Sequence, residues 1–286
     1  GSNLGGLIVP FGLPLLVALF GWQGWDLLYA FLLTGLFDIG FIALWLTLYG
    51  KPEGNPRVSP AELAHIQSDP PEPPSVKVSW GRLLPHRQTW AFVIGKGLPD
   101  GFWWFYLFGA APFFNDRFQL GLAARSLPIA MIYVLASVGS VAGGWLSGHL
   151  MDKGWSINRA RKLTLLGCAA LVVPVFYAPI TDHAYVAMAL ISLAAAAHQG
   201  WSANLFTFGA DMFPKRIIAS LTGLGGMAGA IGGSLLFIFV GKVVRYTGEY
   251  GPVFYLASGA YLTALVLMHW LAPKMEPAQI DAPTEA

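Results

Sequence analysis

Three consecutive stretches decide the fold: the run LPIAMIYVLASVGSVAGGWLSGHL (residues 127–150), the loop MDKGWSINRARK (151–162) and the run LTLLGCAALVVPVFYAPIT (163–181). Neither run holds an Asp, Glu, Lys or Arg, whereas the loop gathers Asp152, Lys153, Arg159, Arg161 and Lys162. A bilayer's hydrocarbon core takes roughly 20 apolar residues of helix. A helix satisfies its own backbone there without water. The pattern predicts two membrane-spanning helices joined by a short polar turn.

Working outward, the same kind of run recurs along the chain. Eight spans are predicted, at about 3–20, 27–49, 90–113, 127–150, 163–181, 184–207, 218–242 and 252–272. The chain is 55% hydrophobic and 11% charged, against about 25% charged in soluble domains. That is too few charges to coat a surface in water. The expected fold class is an all-α membrane protein whose solvent is lipid.

With both termini placed in the cytoplasm, 12 of the 17 basic residues fall on the cytoplasmic side and four on the other, with Lys96 inside a span. This bias sets the predicted orientation. A net charge of +2 gives no electrostatic case for nucleic acid. The single cysteine, Cys168, excludes an intramolecular disulfide framework and a cysteine-cluster metal site, and reads as a packing residue. The chain holds no Gly-x-x-x-x-Gly-Lys-(Ser/Thr), His-Glu-x-x-His or Gly-x-Ser-x-Gly motif. Neither an ATP-driven pump nor an enzyme is therefore expected.

Residues 51–89 differ from the rest. They are polar and proline-rich, with Asp69-Pro70-Pro71-Glu72-Pro73-Pro74 at the centre, and read as a cytoplasmic linker dividing two spans from six. Within them Ser59-Pro60-Ala61-Glu62 predicts a capped helix start, with Ser59 at N-cap, Pro60 at N1 and Glu62 at N3. Glycine (34) and proline (20) are abundant, and the densest stretch runs from Gly223 to Gly233. It reads either as a tight helix–helix seam or as a flexing gate.

An ionisable side chain inside a span costs a few kcal/mol or more, so it faces a cavity or a partner. Lys96, Asp100 and Trp104 recur every four residues and share one helix face. Lys96 and Asp100 either pair with each other or form part of a gate. The Trp103-Trp104 pair is packing, lipid belt, or a wall for a sugar ring. On the sixth span His198, Gln199 and Ser202 line adjacent strips. They suit solute hydroxyls or, equally, hydrogen bonds between helices, and His198 is also a candidate for proton coupling. Asn3 is a further candidate on the first span. Asp38, in an apolar span, is a proton carrier, a buried hydrogen-bonded acid, or an acid awaiting a partner. Asp152 can pair with a base or cap a neighbouring helix.

The loop Gly148-His149-Leu150-Met151-Asp152-Lys153-Gly154, with Asn158-Arg159-Ala160-Arg161-Lys162 after it, resembles the Gly-x-x-x-Asp-(Arg/Lys)-x-Gly-x-(Arg/Lys)-(Arg/Lys) loop of the major facilitator superfamily, with three extra residues. Further runs resemble its anion:cation symporter family, and most of all the bacterial hexuronate transporters. They are Gly1 to Gly5, Lys96 to Asp100 with Trp103 to Phe108, His198 to Thr207, and Asp211 to Arg216. Asp100-Gly101 and Gly109 to Phe113 depart from the family's more common Asp-Pro and Trp-Leu-Pro-Lys.

The resemblance implies two six-helix halves around a central site. Residues 1–50 would be the last two helices of the N-terminal half, with four spans preceding them. Residues 90–273 would be the C-terminal half, and 274–286 a cytoplasmic tail. It further implies proton-coupled symport of galacturonate, glucuronate or related sugar acids across the inner membrane, driven by the proton gradient without a cofactor or metal. His198, Gln199, Ser202, Asn204, Trp104 and Asn3 would bind substrate, while Asp38, Lys96, Asp100 and Asp152 would serve proton coupling or gating. Half of the site would lie on the preceding spans. The alternatives are a carrier of another organic anion, such as an aldonate or dicarboxylate, and a membrane enzyme or scaffold.

Overall fold

The computed structural model describes residues 2–21, 28–68 and 80–280, with side chains throughout except at residues 2–7 and 30. The described residues form helices and connecting turns, with no strand among them. The α-helices are α1 (Ser2–Phe20), α2 (Leu28–Leu48), α3 (Pro60–Ile66), α4 (Arg87–Trp104), α5 (Ala110–Phe118), α6 (Ser126–Asp152), α7 (Ile157–Val172), α8 (Ala184–Met212), α9 (Lys215–Thr247) and α10 (Gly251–Leu271). Backbone proximity divides the chain into two units, Gly12–Lys77 and Gly1–Phe11 with Val78–Ala286.

In the smaller unit α2 presents large apolar side chains around its girth, among them Phe31, Phe37 and Leu46. A helix apolar on every side suits lipid rather than water. Asp38 is exposed on it, and its side chain makes no hydrogen bond or ion pair among the described residues. The capped start falls where its pattern predicts: the Ser59 hydroxyl accepts the Glu62 N–H at 3.2 Å.

The larger unit packs α4 to α10 in pairs, chiefly α6 on α8, α4 on α9, α10 on α4 and α7 on α8. Among the described residues five helices are long and apolar enough to cross a membrane: Phe31–Leu48, Ser126–Asp152, Ile157–Tyr177, Lys215–Thr247 and Gly251–Leu271. The α4 and α8 segments fall outside that set, and they are the helices that carry most of the polar side chains singled out above. The span predicted at 90–113 is part of a longer helical run in which a π-turn, Phe105–Gly109, joins α4 to α5. The span predicted at 163–181 begins earlier, at Ile157, and gives way to a 3-10 turn at Val173–Tyr177. Pro174 accounts for the change: it has no N–H to donate to the Ala170 carbonyl, which accepts from the Val173 N–H instead.

Small residues set the helix spacing. A Cβ placed on Gly139 would lie 2.0 Å from the Ala196 carbonyl oxygen, and one on Gly143 would lie 2.4 Å from the Gly200 Cα. The α4–α9 contact is as close, with a Gly232 Cβ falling 2.5 Å from the Gly97 carbonyl oxygen. The Gly223-to-Gly233 stretch is thus a tight seam. The α6–α7 loop turns on Gly154, whose φ of +85° favours glycine. There the Trp155 N–H reaches the Leu150 carbonyl and the Gly154 N–H reaches that of Met151, closing α6 in a Schellman motif.

Candidate functional site

Pro99 organises the middle of α4. Lacking an N–H, it leaves the Gly95 carbonyl without its helical donor, and the Trp201 indole N–H of α8 supplies one at 2.9 Å. One turn away, Lys96 Nζ bridges both Asp100 oxygens, at 3.0 Å to Oδ1 and 2.8 Å to Oδ2. The pair is largely sheltered, and mutual neutralisation is what makes two charges tolerable in an apolar span. The Lys96 ammonium also lies 5.1 Å from the Phe206 ring centroid. On the α9 side a Cβ on Gly229 would come within 2.5 Å of Asp100 Oδ2, so the glycine lets the carboxylate keep its present position.

Behind the pair stands His198. It is 2% exposed, its Nδ1 lies 2.7 Å from the Tyr261 hydroxyl of α10, and its Nε2 lies 3.9 Å from Asp100 Oδ1. The Trp103 ring stacks on the imidazole with centroids 4.9 Å apart and planes 7° from parallel. Gln199 and Ser202, next along α8, form no hydrogen bond among the described residues, so their polar groups remain uncommitted. Trp104 is partly exposed and abuts Gly233. The Asn3 side chain lies outside the described residues.

Asn204 stands apart from this cluster. Fully buried, its Nδ2 donates to the Gly143 carbonyl at 2.8 Å and the Gly200 carbonyl at 2.9 Å, while its Oδ1 accepts from Arg161 at 3.5 Å. Arg161 also binds Ser147 at 2.9 Å and Asp211 at 3.0 Å, joining α6, α7 and α8 at one end. Asp152 takes no part: it is exposed and makes no ion pair or cap among the described residues. Ser156 caps α7 instead, and Asp211 takes the cation. Lys162 Nζ binds the Ala272 and Pro273 carbonyls at the end of α10, where a cation also suits the helix dipole.

At the opposite end, Arg117 pairs with Asp182 at 2.7 Å and the Tyr250 hydroxyl donates to Asp116 at 2.7 Å. Arg117, Asp116 and Tyr250 border a cleft of about 420 Å³. Burial, together with the adjacent Asp116 carboxylate, pushes the Tyr250 phenol above its ordinary range.

Lys96, Asp100 and His198 therefore share one neighbourhood between α4 and α8, with Gln199 and Ser202 one and four residues beyond His198 on α8, while Asn204 and Asp152 serve elsewhere or not at all. Tyr261 and Trp201 were not singled out from sequence. The signal for Tyr261 was a phenol inside an apolar span, and for Trp201 the carbonyl that Pro99 must orphan. The cluster offers one cation, one acid and uncommitted neutral groups in a wall of aromatic rings and glycine. Such a wall suits a polar, charged solute, and no metal-sized group of His, Cys, Asp or Glu occurs among the described residues.

Residues 1–237 match the family model described as Major Facilitator Superfamily. The chain is 27% identical over 286 residues to the "Hexuronate transporter" of Escherichia coli (strain K12), covering 97% of this chain and 64% of that protein. It is 23% identical over 264 residues to the "D-galactonate transporter" of Escherichia coli O6:H1, covering 88% of this chain and 60% of that protein. It is 27% identical over 267 residues to the "Ascorbate transporter, chloroplastic" of Arabidopsis thaliana, covering 91% and 47% respectively. The chain thus spans less than two thirds of the length of these relatives.

Proposed function

The chain belongs to the major facilitator superfamily, and from that premise we propose that it forms part of a secondary transporter importing sugar acids, hexuronates foremost, together with protons. One observation carries the reading: within otherwise apolar packing, α4 and α8 bring together an ion pair and a buried imidazole, and α8 carries two uncommitted neutral side chains, Gln199 and Ser202, close by in sequence. Gln199 and Ser202 suit sugar hydroxyls, and Trp103 and Trp104 offer ring surfaces against which a pyranose can lie. The names of the relatives, hexuronate and galactonate transporters among them, support the same substrate class.

In this reading α4 to α10 form the second half of the carrier, residues 51–89 the linker between halves, and the bacterial inner membrane its location. The proton gradient is the energy source and no cofactor takes part. The basic bias of the loops supports cytoplasmic termini.

The test is uptake of labelled galacturonate into proteoliposomes holding the full-length natural protein. Concentrative uptake under an imposed proton gradient, abolished by a protonophore and competed by glucuronate, is the expected result. Uptake of a labelled aldonate or dicarboxylate, with no galacturonate uptake and no uronate competing, would replace the substrate class. That second reading draws on the galactonate relative.

A further inference from the structure

The cleft at the far end of the six-helix unit, away from Arg161 and Asp211, is bordered by two tethers from α5. Arg117 holds the 179–182 loop, its Nε donating to the Pro179 carbonyl at 3.4 Å and its Nη2 to Asp182 at 2.7 Å. Asp116 accepts from the Tyr250 hydroxyl at 2.7 Å and from Asn115 Nδ2 at 3.2 Å. Other groups of the lining stay uncommitted. The Arg117 Nη1 edge, the Glu249 carboxylate and the Tyr255 hydroxyl make no hydrogen bond among the described residues.

The cleft lies where α5 and α9 stop and α10 begins at Gly251. Exposed tyrosines gather at this same end. Tyr177 closes the turn after α7, Tyr185 stands in the first turn of α8, and Tyr246 in the last turn of α9. Tyrosines at the ends of membrane helices mark the depth of the lipid headgroups. Tyr255, 52% exposed, belongs both to this belt and to the cleft wall. The cleft therefore reaches the headgroup layer.

Charge selects the occupant. The lining carries two carboxylates, Asp116 and Glu249, and one guanidinium, whose charge Asp182 already takes. A sugar acid or other plain anion would meet a surplus of negative charge, and a plain cation would leave the Arg117 edge unmet. A zwitterion meets both, and the N-terminus of α10 favours its anionic end. Carboxylate and phenol oxygens accept from N–H donors, whereas a quaternary ammonium needs a cage of rings. We propose that this cleft seats the headgroup of a phospholipid with a primary ammonium, phosphatidylethanolamine, its ammonium on Glu249 and Tyr255 and its phosphate on Arg117 Nη1. The volume of about 420 Å³ lies within the range of small-ligand sites. Seated there, the lipid joins the ends of α5, α9 and α10 to the bilayer. The site depends on the chain lying in lipid, and not on which solute is carried.

The experiment titrates the full-length natural protein in detergent with phosphatidylethanolamine, phosphatidylcholine and phosphatidylglycerol of matched acyl chains, reading bound lipid by native mass spectrometry. Phosphatidylethanolamine should bind roughly tenfold or more tighter than the other two, which lack N–H donors. Glu249→Gln breaks no internal side-chain bond, so it should keep the wild-type melting temperature and lose that preference. Tyr255→Phe should weaken it by a smaller factor. Soluble phosphoethanolamine should compete far more weakly than the lipid.

Equal binding of the three lipids, or an unchanged preference in both variants, overturns the proposal. Soluble phosphoethanolamine binding as tightly as the lipid would assign the cleft to a free zwitterion, and displacement of the lipid by galacturonate would assign it to a sugar acid. Either result removes the lipid site.

Discussion

Two glycine seams hold the six-helix unit, and they are built to different ends. Along α6–α8, Gly139, Gly143 and Gly200 bring the backbones into contact, and Asn204 then ties α8 to the Gly143 carbonyl of α6. Arg161 fastens the same pair at its end through Ser147 and Asp211. Along α4–α9, Gly97, Gly101, Gly229 and Gly232 bring the backbones equally close. Yet between residues 97–101 and 225–233 no side-chain hydrogen bond crosses among the described residues, and the polar groups there bond within α4. Small residues alone give close approach through dispersion. Adding a crossing hydrogen bond gives a register that resists sliding. The first seam is a clamp, whereas the second is a smooth contact beside an ion pair.

The sharpest way to break this comparison is to fill each seam. Gly139→Val meets the Ala196 backbone at 2.0 Å from its Cβ, and no rotamer relieves that clash. A loss of about 3 kcal/mol is expected, read as a fall in detergent melting temperature and in folded yield. Next comes the clamp itself. Asn204→Ala removes the amide that satisfies two buried carbonyls and should cost about 1–3 kcal/mol in the same measurement. The smallest effect is expected at Gly229→Ala, whose new Cβ meets the Asp100 carboxylate, a side chain that can rotate away. About 1 kcal/mol is expected there, with the larger change appearing in substrate binding. Equal losses at Gly139 and Gly229 would erase the distinction between clamp and smooth contact.

Much of this was legible from residues alone. Uncharged runs of membrane length marked the helices, and Ser59-Pro60-Ala61-Glu62 marked a helix start. The four-residue spacing of Lys96 and Asp100 marked a shared face, which the ion pair occupies. Asn204 was not legible in the same way. On α8 it belongs to the same polar run as His198 and Ser202, yet it turns toward α6, and a one-dimensional pattern does not say which neighbour a polar helix face meets.

Periodicity and hydropathy are local properties, so the chain's own order determined that it is helical, that it resides in lipid, and that α4 and α8 carry the polar groups. Partnership is not local. That Trp201 serves the carbonyl orphaned by Pro99, that Tyr261 holds His198, and that Gly229 of α9 lies against Asp100 were decided by the tertiary structure. Each depends on which helices lie side by side and at what rotation, and side chains far apart in the chain become partners only through that packing.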